Sequence, residues 1–206
     1  MSDPVAVLQR IRVSRAPRQR RPGESCDMCT EQIPDEHRHV VDLSARSLLC
    51  TCTGCYLLFM SEGAGGGHFR SVPDRYLAFP SFSFSEDQWE SLQIPVSIAF
   101  FFVNSSLGRL AAFYPGPAGA TESELPIETW AAIAEKDPAL ATLQSDVEAF
   151  LVRAGKGGGI ECFLVPIDCC YELVGRLRKL WRGFDGGREA HEAIDSFFDR
   201  VRAMAK

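Results

Sequence analysis

The sequence lacks an apolar run long enough to cross a membrane. Its longest candidate, residues 98–103, has only the length of a strand, whereas a membrane-spanning helix needs about 20 apolar residues. The N-terminus also lacks the apolar stretch that a secretory signal carries after its charged residues. We therefore expect no membrane span and a cytoplasmic location. In that reducing environment, clustered cysteines are more often metal ligands or redox groups than disulfides.

The common catalytic motifs are missing as well. There is no G-x-S-x-G motif and no nucleotide-binding fingerprint, and the "GAGGGHFR" segment lacks the lysine and hydroxyl residue of a phosphate-binding loop. These absences favour a non-enzymatic role. The alternative is an enzyme centred on His68 and the turn-rich loop 114–125, whose polar edge would be formed by Thr121, Glu122, Ser123 and Glu124.

Negative charge dominates the chain, but unevenly. The net charge is −5, yet residues 1–25 hold six arginines against Asp3 and Glu24, a net +4 that leaves −9 for the remainder. Residues 1–24 are interpreted as a flexible basic arm, either a solubilising tail or one that packs on the acidic body. Nucleic-acid binding is the alternative. It is disfavoured by the acidic remainder and by the lack, within the cysteine-rich segment, of a helix with clustered Lys and Arg.

Composition divides the rest of the chain into three parts. The predicted parts are a cysteine-rich metal-binding module at 25–60, a Gly-rich connector at 61–67 and an α+β domain at 68–206. Hydrophobic residues make up 46% and charged residues 24% of the 206 residues, which is ordinary for a globular protein. A chain of this length can bury one sizeable core and carry a small module beside it.

Two strand pairs are expected in the α+β domain. Runs rich in Val, Ile and Phe at 95–104 and 109–115 flank a short turn and predict a hairpin. Residues 146–154 and 160–166 form a second such pair.

Each strand pair leads into a predicted helix. The first helix begins near Pro126 and ends before Pro138, and the second begins at Asp168 as N-cap and ends near Trp181. A last helix is expected at 188–205. The β-β-α-β-β-α-α order predicts a mostly antiparallel sheet with helices on one face, an α+β fold.

Two C-x2-C pairs carry the clearest chemical signal. Cys26 and Cys29 are followed, after 22 residues, by Cys52 and Cys55, slightly more than the spacer of about 15–20 residues usual in paired C-x2-C zinc sites. The extra length accommodates a hairpin with a strand at 39–43. Each pair brings two thiolates to one ion from a single turn, and zinc prefers four such ligands in a tetrahedron.

The order of turn, hairpin and helix in this segment resembles the treble-clef group of zinc modules. The second pair would stand at the start of a helix, "CYLLFM", whose N-terminus favours thiolate. One feature departs from the group. Its turns often carry Gly directly after the second cysteine, where this chain has Thr30 and Tyr56; Gly54 lies inside its pair instead.

Three further residues in this segment can bind metal. Cys50, His37 and His39 could support the four-cysteine site from outside it, replace one of its ligands or form a second site beside it. Cys50 could also be a packed core thiol. A structural zinc is the first hypothesis. The alternatives are three cysteines with one histidine, a rubredoxin-like iron or iron–sulfur site, and no metal.

The remaining candidate ligands are expected to be structural. Cys162 lies in a predicted strand, and Cys169 and Cys170 begin a predicted helix. Free cysteine is commonly buried, so we interpret these three as core thiols rather than as a redox or relay group. His191 is expected at the surface.

Several blocks, in order, resemble an uncharacterised bacterial family over about residues 26–185: "CDMCTEQIPDEHRHVVDLSARSLLCTCTGCYLLF", "GAGGGHFRSVPDRYL", "LQIPVSIAFFF", "YPGPAGATES" and "FLVPIDCCYELVGRLRKLWRG". Members of that family are often encoded beside the structural genes of high-affinity nickel–iron hydrogenases in actinobacteria and other soil bacteria. The resemblance implies an accessory role near hydrogenase assembly, metal handling or complex formation, with hydrogenase subunits or maturation factors as partners. Its family-like positions are Cys26, Cys29, His37, His39, Cys50, Cys52 and Cys55.

The combined hypothesis is a metal-binding accessory protein, with zinc as the expected ion and a protein as the expected partner. An iron-binding redox or metal-delivery protein is the first alternative, and a nucleic-acid-binding zinc module is the second.

Overall fold

The computed structural model describes residues 24–80, 89–90, 94, 96–123, 142–155, 159–183 and 186–205. Nearly all of the predicted basic arm, the helix predicted near Pro126 and part of the loop between the second strand pair lie outside the described residues.

The N-terminal third forms a small antiparallel sheet with a short helix. Strands β1 (Arg38–Asp42) and β2 (Ser47–Thr51) make a hairpin, and helix α1 (Thr53–Leu58) begins directly after it. A 3₁₀ turn at Ala64–Gly67 then leads to β3 (Phe69–Ser71), which pairs with the other side of β1. The predicted strand at 39–43 and the helix at the second cysteine pair are thus present.

A six-stranded antiparallel sheet forms the larger part of the fold, with the order β4-β9-β8-β5-β6-β7. Its strands are β4 (Leu77–Ala78), β5 (Ile98–Asn104), β6 (Arg109–Gly116), β7 (Gly119–Ser123), β8 (Glu148–Ala154) and β9 (Ile160–Pro166). Both predicted strand pairs form their hairpins, and β5 also pairs with β8. The two hairpins therefore join into one sheet.

Helices α2 (Ile167–Leu180) and α3 (Gly187–Met204) cover one face of this sheet. Successive side chains of a strand point to opposite faces. Phe100 accordingly packs in the cluster that contains the helices, whereas Phe101 packs in a second cluster on the other face. The expected α+β fold with antiparallel sheets is confirmed.

Both parts of the chain contribute to one core. Val41 of β1 and Val72 after β3 are buried in the same cluster as residues of β5, β8, α2 and α3. Arg75 donates hydrogen bonds from Nε and Nη2 to the two carboxylate oxygens of Glu148, at 2.7 and 2.6 Å, and Glu148 is fully buried. The proposed division into a module and a domain remains a prediction, and the two parts share one hydrophobic cluster.

Two sequence predictions were wrong in detail. Residues 114–125 were expected to form a turn-rich loop, but Gly116 pairs with Gly119 and the chain turns back as β7. The prolines and glycines mark a tight hairpin turn there. Asp168 was expected to cap the second long helix, but Pro166 is the N-cap and Asp168 lies in the first turn.

Among the described residues, the helices are all too short or too polar to cross a membrane.

Candidate metal centre

The first cysteine pair lies on a tight turn. Ser25 and Gln32 form an isolated antiparallel bridge, and between them the Cys26 amide donates to the Glu31 carbonyl while the Thr30 amide donates to the Cys26 carbonyl, each at 2.8 Å. Thr30 adopts a left-handed φ of 65°. This is the position where the resembling zinc modules often have Gly, the residue that adopts this conformation without strain.

The second pair lies at the start of α1. Cys52 is the N-cap residue, and the Cys55 amide donates to its Sγ at 3.4 Å. Residue Asp27 joins this region to the first turn, because its amide donates to the Cys50 carbonyl and its Oδ2 accepts from the Cys50 amide, both at 2.8 Å. The hairpin thereby holds the two pairs side by side.

The two pairs converge into a four-cysteine cluster, formed by Cys26, Cys29, Cys52 and Cys55. Their four Sγ atoms lie within 4.8 Å of one another, and those of Cys29 and Cys52 are 3.7 Å apart. In a tetrahedral site with Zn–S bonds of about 2.3 Å, neighbouring sulfurs are about 3.8 Å apart. The cluster therefore has the donors and the spacing to bind a metal ion.

The pKa values of two cysteines of the cluster are shifted in opposite directions. Burial raises the pKa of Cys26, but hydrogen bonds from the backbone of Cys52, Cys29 and Met28 outweigh burial and lower that pKa to about 6. Burial and the neighbouring thiols raise the pKa of Cys55. Metal binding requires deprotonated cysteines, so an ion bound by the cluster would displace the thiol protons.

The three further candidates form a group of their own, which we call the His–His–Cys cluster: His37, His39 and Cys50. Their ligand atoms also lie within 4.8 Å of one another. His39 and Cys50 are directly opposite each other on β1 and β2, and His37 immediately precedes β1. Burial, followed by the charges of Asp27 and Glu24, raises the pKa of the Cys50 thiol.

The remaining candidates lie elsewhere. Cys162, Cys169 and Cys170 are buried in the core, as expected. His191 is exposed on α3, also as expected, and His68 is exposed after the 3₁₀ turn. The described part of the 114–125 segment contributes to an edge strand, where Glu122 accepts from Arg109 at 2.8 Å.

One residue of this region was not identified from the sequence. Asp168 Oδ2 lies 2.8 Å from His39 Nδ1, although 129 residues separate the two in the chain. Its position at the start of a helix suggested a cap, and nothing in the local sequence pointed to the histidine.

No curated protein and no solved structure matches the chain significantly. The sequence model of one family does match it, over residues 25–205, which include both clusters and both sheets. The chain belongs to a family of unknown function, DUF5947.

Proposed function

We propose that the four-cysteine cluster holds one structural zinc ion and that the protein serves as an accessory protein to a protein partner. The observation that carries this proposal is the convergence of four Sγ atoms, from two distant C-x2-C pairs, to within 4.8 Å. Four protein ligands complete a tetrahedron and leave no position for a substrate, which is typical of structural zinc sites.

The surrounding fold supports the same assignment. A cysteine turn, a hairpin and a helix whose first turn carries the second pair follow one another, in the order of treble-clef modules. The segment is too small to have a core of its own, so binding of the ion would contribute directly to its folding. Iron in a rubredoxin-like site would use the same four thiolates and is the alternative.

A protein partner is proposed on two grounds. The resemblance described above implies hydrogenase subunits or maturation factors. In addition, Leu57, Leu58 and Met60, at the end of α1 and beyond it, are each more than half exposed. Clustered exposed apolar side chains are typical of interaction sites, and these three follow Cys55 within five residues of the chain. Copurification of the tagged chain with hydrogenase subunits would test this part of the proposal.

The metal assignment is tested by metal analysis of protein purified without oxygen and treated briefly with a mild chelator. We expect about one zinc per chain and no colour in the wild type, because a closed four-thiolate site exchanges slowly. Cys26→Ser and Cys52→Ser should lose this ion and unfold the N-terminal segment. The control, Cys162→Ala, removes a buried thiol of β9 and should keep the ion.

Two outcomes would contradict the assignment. Detection of iron with visible thiolate absorption would identify the bound metal as iron instead of zinc. A wild-type protein without a retained ion, or variants that keep theirs, would exclude the four-cysteine cluster as the site.

A further inference from the structure

We propose that the His–His–Cys cluster is a second metal site, separate from the four-cysteine cluster, which binds an exchangeable divalent transition metal at the wall of a cleft. The two neighbouring strands β1 and β2 present His39 and Cys50 as a cross-strand pair, and His37 adds a third donor. Directly opposed residues project to the same side of an antiparallel pair, so the strand register fixes the pair of His39 and Cys50.

His37 is oriented as a ligand. Its Nδ1 lies 2.9 Å from the Pro34 carbonyl and 3.1 Å from the Asp35 carbonyl. Carbonyl oxygens only accept, so Nδ1 carries a proton, and in the neutral ring Nε2 carries the lone pair. That Nε2 is buried without a hydrogen-bond partner among the described residues, and the side chain is only 6% exposed. A buried nitrogen without a partner is costly, and a metal ion would satisfy it.

His39, like His37, uses Nδ1 for a hydrogen bond and has Nε2 available as a ligand. Its Nδ1 donates to Asp168 Oδ2 at 2.8 Å, which leaves Nε2 to bind an ion. Metal-binding histidines commonly donate their other ring nitrogen to a carboxylate or a backbone carbonyl, which fixes the tautomer and makes the ligand more basic. His39 donates to a carboxylate and His37 to backbone carbonyls. The ring centroids of the two histidines are 4.7 Å apart.

The coordination differs from that of the four-cysteine cluster. Two imidazole nitrogens and one thiolate suit zinc, cobalt and nickel. Three protein ligands leave a fourth position open, as in sites that exchange or activate what they bind.

A cleft of about 940 Å³ is lined by both histidines and Asp168, so an ion held by the two histidines would lie at its wall. The cleft is acidic, and its acidic side chains outnumber its arginines: Glu31, Asp35, Glu36, Asp74, Asp168 and Glu172 against Arg38 and Arg200. An acidic wall attracts cations.

Cobalt(II) added to the full chain after one equivalent of zinc tests this proposal, with native mass spectrometry to count ions and visible absorption to report their ligands. The wild type should bind one zinc and one cobalt, with a sulfur-to-cobalt band. His37→Gln, His39→Gln and Cys50→Ser should each bind the zinc but lose the cobalt. The matched control, His191→Gln, alters an exposed histidine of α3 and should retain both ions.

Asp168 is proposed to position the His39 ring through its hydrogen bond. Its variants are therefore measured by cobalt affinity and by the position of the absorption band. Asp168→Asn should weaken cobalt binding by about 10–100-fold and shift the absorption band, with the zinc retained. Asp168→Glu should restore part of the affinity. Retention of the zinc shows that a variant is folded.

The outcomes distinguish the second metal site from the structural zinc site. A wild type that binds only one ion, lost in Cys26→Ser but kept in His37→Gln, would overturn the second site alone. A single ion lost in His37→Gln but kept in Cys26→Ser would support the second site and overturn the structural zinc. A wild type that binds no ion would overturn both.

Discussion

At the scale of single residues, the two cysteine pairs were predictable and their neighbours were not. The C-x2-C spacing identifies Cys26, Cys29, Cys52 and Cys55 as candidate ligands. This spacing lets one tight turn bring the two thiolates of a pair to the same ion. No spacing rule separates Cys50 from these four. Its grouping with His37 and His39 depends on the register of β1 against β2, which the sequence does not specify.

Thr30 offers a test of the first cysteine turn. Its φ of 65° is unfavourable for a β-branched residue, so Thr30→Gly should relieve strain of about 1–3 kcal/mol, partly offset by the greater freedom of Gly in the unfolded chain. We expect the zinc-loaded protein to gain about 0.5–1 kcal/mol in unfolding free energy, measured by urea denaturation.

Thr53→Gly is the matched control for that substitution. Thr53 is the first residue of α1, where Gly is expected to cost about 0.5–1 kcal/mol. Equal losses in the two variants would contradict the strained turn at Thr30.

At the scale of elements, the long strands and helices were predictable from their apolar periodicity. The predicted strands at 109–115 and 160–166 differ from β6 and β9 by one residue at most. Shorter elements were missed: β3 and β4 have only three and two residues, and the glycines around β7 concealed a hairpin. These strands form because their backbones pair with the edge of a longer strand, which is a tertiary effect.

The junction of α3 with β9 gives a pH-dependent prediction. Arg202 donates from Nε and Nη2 to Glu161 at 2.7 and 2.8 Å. These hydrogen bonds hold the pKa of the Glu161 carboxyl below its ordinary value of 4.5. Because the pKa is lower in the folded state, the stabilisation is complete above pH 4.5 and is lost as the pH falls through the folded-state value.

Thermal unfolding of Glu161→Gln between pH 7 and pH 4 tests this account. The variant should be less stable by about 0.5–1 kcal/mol at neutral pH, and the difference should narrow below about pH 4.5. Glu192→Gln is the control, because its contact with Arg188 is 3.7 Å long and both side chains are exposed. A deficit of Glu161→Gln that is the same at every pH would show that the carboxylate charge is not its cause.

At the scale of the whole molecule, polar contacts over long sequence distances join the N-terminal sheet, and the segment that follows it, to the rest of the fold. Arg75 reaches the buried Glu148, and His39 reaches Asp168 at the start of α2. Composition alone suggested a separate module, because charge, glycine content and cysteine spacing change along the chain. It could not show that β1 would contribute Val41 to the main core.

Binding of one metal ion by the four cysteines can be tested by X-ray absorption on protein loaded with one equivalent of zinc. We expect a shell of four sulfur atoms at about 2.3 Å from the zinc. A mixed shell with nitrogen neighbours at about 2.0–2.1 Å would place the ion at the histidines instead, and a shell of oxygen alone would contradict both sites.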